Sequence, residues 1–236
     1  MNLLALDTAT EACSVALQVG TAVIARHTVA GRSHTEQLMP MVQALMAEAG
    51  LGFAQIDGYA CGVGPGSFAG VRIGVGFVKG LALAVARPVV PLSSLMLLAW
   101  PELTAGRARV VAAIDARLDE VYSAEYAWQD GHAVLQAPER VCDPQQIAPV
   151  AATPTPAPYV GVGSGWARYG DVLQSALGAR ALAIKAEALP RAEDGLTWAL
   201  AQLQAGQGID ADALVPAYLR HKVALTLAEQ RARKKA

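Results

Sequence analysis

The chain repeats its own beginning, and that repeat constrains its fold more than any other feature. The string LLALDTATEACSVAL at 3–17 resembles VAAIDARLDEVYSAE at 111–125, with Asp7 matching Asp115. A second pair, CGVGPGSF at 61–68 and VGVGSGW at 160–166, aligns Gly64 with Gly163 and Gly66 with Gly165. The spacings are 108 and 99 residues. Two matches at nearly one spacing argue for two copies of one supersecondary unit. Chance similarity between short glycine- and valine-rich strings is the alternative. A chain of 236 residues has room for two such units and a buried core.

The first copy reads as three strands, then helix, strand, helix. Leu3 to Leu6 is an apolar run closed by Asp7-Thr8-Ala9-Thr10, and Cys13 to Val19 and Ala22 to Thr28 complete an antiparallel meander. Ser33-His34-Thr35-Glu36 has the form of a capping box. It opens a helix near 35–49 with Leu38, Met41, Val42, Leu45 and Ala49 at helical spacing. Pro40 is expected to kink that helix or delay its start, and Gly50 to stop it. Gly58 to Val63 reads as a buried strand. A Gly64-Pro65-Gly66-Ser67-Phe68 turn leads from it into a glycine-rich helix over 69–86, closed by Arg87-Pro88. Val89-Val90 is a short strand and Ser93 to Trp100 a helix.

The repeat predicts the same order again. The expected units are 1–105, 106–212, and a terminal helix with a basic tail over 213–236, its helix running from Ala217 to Ala236. AATPTPAP at 151–158 reads as a stiff connection inside the second copy, and Leu196 to Gln204 as a helix. Two βββαβα lobes, each with an Asp after its first strand, indicate an α/β chain of the actin-like, ribonuclease-H-like type, the ASKHA superfamily.

In that architecture two strand-turn-strand loops grip phosphates from opposite sides. The grip needs glycines or small hydroxyls, because backbone N–H groups must approach the phosphate closely. The first loop offers Thr8 and Thr10 but no glycine. The second, Asp115 to Glu120, has no glycine and three acids. The chain therefore carries the outline of a nucleotide cleft, marked by Asp7, Thr8, Thr10, Asp115, Gly163 and Gly165, without its full lining. Each Asp could equally be a turn cap. The Gly64–Ser67 turn lacks the G-x-x-x-x-G-K-[ST] pattern of a P-loop, and reads first as a tight strand-to-helix turn.

Gly70, Gly74, Gly76 and Gly80 lie in or near the second helix, and an interior glycine costs about 1 kcal/mol against alanine. Something must approach that helix closely: this chain's own sheet or another subunit. Met39, Met41 and Met46, three of five methionines, suit an adaptable surface, though a core stripe has the same spacing. The histidines His27, His34, His132 and His221 form no H-x-x-x-H pair, and His34-Thr35-Glu36 lacks the P-C-x-x-C that a zinc deaminase requires. No metal and no cofactor is expected. Cys13, Cys61 and Cys142 are odd in number and form no CxxC. With the unleadered MNLLALDTAT start, they indicate a reduced, cytoplasmic protein. The apolar run Ile73 to Ala86 is broken by Lys79 and falls short of the ~20 residues a membrane span needs. A net charge of −1 argues against a chain that grips nucleic acid alone. The basic end Arg231, Arg233, Lys234 and Lys235 reads as a solvated terminus, with a phosphate contact as the alternative.

Five strings, LLALDTATEACSVAL, SHTEQLMPMVQAL, GVGPGSFAGVRIGVGFVKGLA, DARLDEVYSAEY and PAYLR at 216–220, together resemble the TsaB/YeaZ family. They cover the first lobe nearly completely and the second in patches. The resemblance implies an actin-like fold and a part in making threonylcarbamoyladenosine beside the tRNA anticodon. The catalytic paralogue, TsaD, carries an H-x-x-x-H metal pair where this chain has Ser94 and Leu98. Serine is a poor metal ligand and leucine none, so no catalytic residue is expected here. The implied partners are a TsaD-like catalytic subunit and a TsaE-like ATPase, with tRNA touched only inside the complex. A homodimer would use the same face. Carried onto this sequence, that face involves Met39, Val42, Met46, Gly70, Arg72, Gly74, Val75 and Lys79. Two enzyme readings stand beside this one. The first is an ATP-dependent small-molecule kinase or carbamoyltransferase of the same fold. The second is a metallopeptidase, against which the histidine pattern speaks.

Overall fold

The computed structural model describes residues 1–31, 33–129, 131–147, 157–178 and 180–220. Eleven strands among them form two sheets. The first comprises β1 (Asn2–Asp7), β2 (Ala12–Val19), β3 (Ala22–Val29), β4 (Gly58–Gly62) and β5 (Val89–Leu92), in the order β3-β2-β1-β4-β5. The second comprises β6 (Arg109–Arg117), β7 (Glu120–Gln129), β8 (His132–Leu135), β10 (Tyr159–Val162) and β11 (Ala181–Lys185), in the order β8-β7-β6-β10-β11, with β9 (Arg140–Cys142) also on β7. In both sheets the first strand pairs antiparallel with the second and parallel with the strand that follows the meander, β4 on β1 and β10 on β6. The repeat is thus a repeat of topology, in the actin-like α/β fold. β1 is covered on both faces, which is why it reads as an unbroken apolar run rather than an alternating one.

Among the described residues five α-helices cover the sheets: α1 (His34–Ala49), α2 (Phe68–Val85), α3 (Ser94–Thr104), α4 (Ser164–Leu177) and α5 (Leu196–Gln204). α1 and α2 bury Leu38, Val42, Leu45, Met46, Val71, Val75, Val78 and Ala82 against the first sheet. On the other side, α3 and α5 join the sheets through one core, which runs from Leu3 and Ala5 past Leu95, Leu98 and Leu196 to Val110, Ala112 and Ile114. α2, 18 residues long, passes as a membrane span by length and composition alone, with Lys79 inside it. Its inner face is spent on the first lobe's core.

Several expectations change. The capping box at Ser33 does not form: its hydroxyl donates to the Ala30 carbonyl and accepts from Gln37 Nε2, so it takes no backbone N–H of the helix. α1 starts at His34 and continues through Pro40, which faces solvent. Gly50 ends it at φ 65°. In the second lobe no α-helix lies between β8 and β10 among the described residues; β9 and a 3-10 turn at Pro144–Gln146 stand there instead. β8 and β9 share the edge of β7 that β3 takes whole on β2. Most of AATPTPAP, and the basic tail, lie outside the described residues. Residues 217–220 are not helical.

The expected boundary at 212 also shifts. Ile209 forms a two-bond bridge with Val89, and Ala211 and Leu214 sit in the first lobe's core. Leu203 of α5 lies so close to Gly58 that a Cβ there would meet it at 2.6 Å. Residues 192–214 therefore pack on the first sheet after the chain has left the second.

Candidate functional site

The two meander turns face each other across a cleft of about 940 Å³. Thr10, Glu11, Ser67 and Arg72 line one wall, Asp115, Arg117, Tyr122 and Ser164 the other, and Pro216 to Arg220 run along it. The first wall is built from Asp7 outward. That carboxylate ends β1 and is fully buried; Oδ1 accepts from the Ala9 N–H at 2.9 Å and Oδ2 from the Ser94 hydroxyl at 2.6 Å. Burial pushes its pKa up, against the lowering effect of those two hydrogen bonds and of His34. Gly62 is glycine because a Cβ would fall 2.0 Å from Oδ2. Asp7 therefore holds the turn from below and does not open into the cleft.

The rest of the turn is fixed by α1 and α2. His34 is buried, with Nε2 2.9 Å from the Thr10 carbonyl and 3.2 Å from that of Ala12; two acceptors require this nitrogen to carry the proton. Thr8 donates its hydroxyl to the Gly70 carbonyl at 2.8 Å. The Ser67 N–H donates to the Ala9 carbonyl at 2.6 Å, and its hydroxyl caps Gly70 N. The first loop's polar groups are thus turned inward. Of the residues marked as a nucleotide cleft, Thr10 and Asp115 line it; Asp7 and Thr8 lie beneath its wall.

The second wall differs. Asp115 accepts from Arg117 N at 2.9 Å and pairs with the guanidinium of Arg117 at 2.9 Å and that of Arg168 at 3.4 Å. Arg117, Leu118 and Asp119 all have positive φ, at 61°, 55° and 62°, where glycine is the easy residue. Gly163 and Gly165 stand behind this wall, where their missing Cβ atoms let α4 approach β6 at Ala113. Only Gly163 joins β10 to α4, whereas five residues, 63–67, join β4 to α2.

The expected partner face divides by helical phase. Val42, Met46 and Val75 are core residues. A Cβ on Gly70 would meet the Thr8 carbonyl oxygen at 2.1 Å, and one on Gly74 would meet Thr8 Oγ1 at 2.5 Å, so these glycines serve the chain's own sheet. Arg72 faces the cleft, its guanidinium 3.3 Å above the Phe68 ring and 4.9 Å from that of Tyr218. Lys79 Nζ donates to the Asp212 carbonyl at 2.9 Å. Met39 alone of the eight is an exposed apolar side chain. Gly76 and Gly80, not singled out as interface positions, look onto open space on the other side of α2, near exposed Leu83. Their i, i+4 spacing opposite Gly74 was the signal. Arg117, Ser164, Tyr218 and Arg220 also line the cleft; the sequence places them inside the strings DARLDEVYSAEY, VGVGSGW and PAYLR without marking them as cleft residues.

A family model described as TsaD, tRNA N6-adenosine threonylcarbamoyltransferase, matches residues 24–226. The tRNA threonylcarbamoyladenosine biosynthesis protein TsaB of Escherichia coli is 40% identical over 95% of this chain and 96% of its own length. The TsaB protein of Haemophilus influenzae is 36% identical over 94% and 95%. The structure of YeaZ from Pseudomonas aeruginosa matches with a TM-score of 0.84 and 42% identity, covering 92% of this chain and 99% of that one. Matched along nearly the whole of both partners in sequence and in structure, the chain belongs to the TsaB/YeaZ family.

Proposed function

We propose that this chain serves the formation of threonylcarbamoyladenosine in tRNA as a non-catalytic subunit, which binds a TsaD-like catalytic protein and works with a TsaE-like ATPase in the cytoplasm. The observation that carries the reading is the outer side of α2. Only a third of this apolar 18-residue helix is buried, and Gly76 and Gly80 leave its backbone bare beside Leu83. Bare glycine backbone lets another helix approach closely, and an apolar strip gains when covered. On α1, Met39 is also an exposed apolar side chain. The same face could pair two copies of this chain, in competition with the heterodimer.

The non-catalytic half of the proposal is supported by Ser94 and Leu98. Ser94 is held by Asp7, and Leu98 lies in the core that joins the two sheets. Both positions are spent on packing. The test is size-exclusion chromatography with light scattering on a mixture with the TsaD-like protein of the same organism. A stable heterodimer is expected; failure to associate, with or without the TsaE-like protein and nucleotide, would remove the reading. The cleft of about 940 Å³ favours the alternative of an ATP-dependent kinase or carbamoyltransferase, which titration calorimetry with magnesium-ATP addresses.

A further inference from the structure

We infer that Leu214 to Arg220 is a clasp that fixes the spacing of the two lobes across the open side of the cleft, with Arg220 as its catch. The segment is anchored first in the first lobe. Leu214 is buried there, Lys79 holds the Asp212 carbonyl, and Ala217 N donates to the Val63 carbonyl at 2.8 Å. Tyr218 then lies against Arg72. Two residues later the chain reaches the other lobe. Arg220 donates to the Ala116 carbonyl at 3.0 Å and the Arg117 carbonyl at 3.4 Å, and pairs with Glu120 at 2.5 Å. Its side chain is only 12% exposed.

The chemistry suits a catch. The turn at 115–120 holds three successive non-glycine residues at positive φ, a conformation that persists only when its surroundings hold it. Arg220 reaches all three acceptors through Nη2, and a delocalised, weakly hydrated guanidinium tolerates that nearly buried position better than a compact, strongly hydrated ammonium. Other ties between the lobes among the described residues lie elsewhere, including the α3 core, Ser93 with Glu139 and Tyr126, and Glu102 with Lys185. Without the clasp the lobes share one packed side and are free to gape at the other. The chain thus sets the aperture of its cleft with its own backbone.

Spin labels at Thr21→Cys and Ser175→Cys, both exposed and on opposite lobes, report the spacing in the full chain, with Cys142→Ser and dilution by unlabelled protein. The parent is expected to give one narrow distance. Arg220→Ala should broaden and lengthen it, and should speed hydrogen exchange at the amides of Arg117 and Glu120 by about tenfold or more, with far-UV circular dichroism unchanged. Arg220→Lys, which keeps a charge for Glu120 on a shorter, more strongly hydrated head group, should fall between, and it decides the matter if Arg220→Ala does not fold. An unchanged distance and unchanged exchange in the folded variants would overturn the clasp.

Discussion

Ser94, at the start of α3, donates its hydroxyl to Asp7 at the end of β1, so one hydrogen bond of 2.6 Å ties the first turn of the cleft to the helix that joins the two sheets. Both residues are fully buried. Ser94→Ala would leave Asp7 Oδ2 without its donor and cost about 1–3 kcal/mol in chemical denaturation. Asp7→Asn keeps the acceptor for Ala9 N and removes the titrating group. The native carboxyl has a raised pKa, so the folded chain binds this proton more tightly than the unfolded chain does. Its contribution therefore declines as pH rises above the unfolded value, about 3.9. Asp7→Asn should flatten that decline, and a urea midpoint followed from pH 4 to pH 8 checks it.

The glycines of α2 should sort by the side they face. Gly70→Ala is expected to be severely destabilising, because the Thr8 backbone carbonyl cannot move aside, and Gly74→Leu nearly as much. Gly80→Ala, in open space, should stabilise the fold by about 0.5–1 kcal/mol through helix propensity. Thermal unfolding of the three variants distinguishes this arrangement from one in which all four glycines serve a partner.

Gly76→Arg and Gly80→Arg place bulk and charge on the bare strip without touching the core. The melting temperature should hold or rise. Affinity for the TsaD-like protein should fall at least tenfold, about 1.4 kcal/mol. Unchanged affinity in calorimetry would move the interface off this face.

Asp194, in the 3-10 turn at Ala192–Gly195, has its carboxyl pushed up to about 7, by burial first and by Glu193 second, with Arg191 opposing. The folded pKa is the higher one, so stability from this group is present at low pH and lost as pH climbs from about 4 towards 7. Asp194→Asn should leave stability at pH 4 unchanged and raise it at pH 8. A gain of about 1 kcal/mol is expected, since partial exposure screens the effect.

In the second lobe Arg109 forks onto Glu125 at 2.7 and 2.8 Å and also holds the Ala157 carbonyl at 2.7 Å. Either partner truncated alone should cost about 3–5 kcal/mol, because a buried charge is left unpaired. Arg109→Met with Glu125→Leu should recover most of that loss in a double-mutant cycle.

The topology was legible because strand runs and turn glycines are local signals, and because the two copies repeated them. Asp7 and Asp115 marked matching turns, and Gly50 marked the end of α1. The family resemblance rested on the same strings. What the sequence could not determine was direction. Gly70 and Gly74 differ from Gly76 and Gly80 only in helical phase relative to a sheet whose position no local pattern records. Val42 and Met46 lay on a stripe that fits a core or a partner equally well, and tertiary packing assigned them to the core. Arg220 reads as one basic residue near a basic end. It becomes a link between lobes only because residues 192–214 return to the first sheet before the chain crosses to the second. Periodicity is a property of neighbours in the chain, whereas burial and contact depend on elements more than a hundred residues apart.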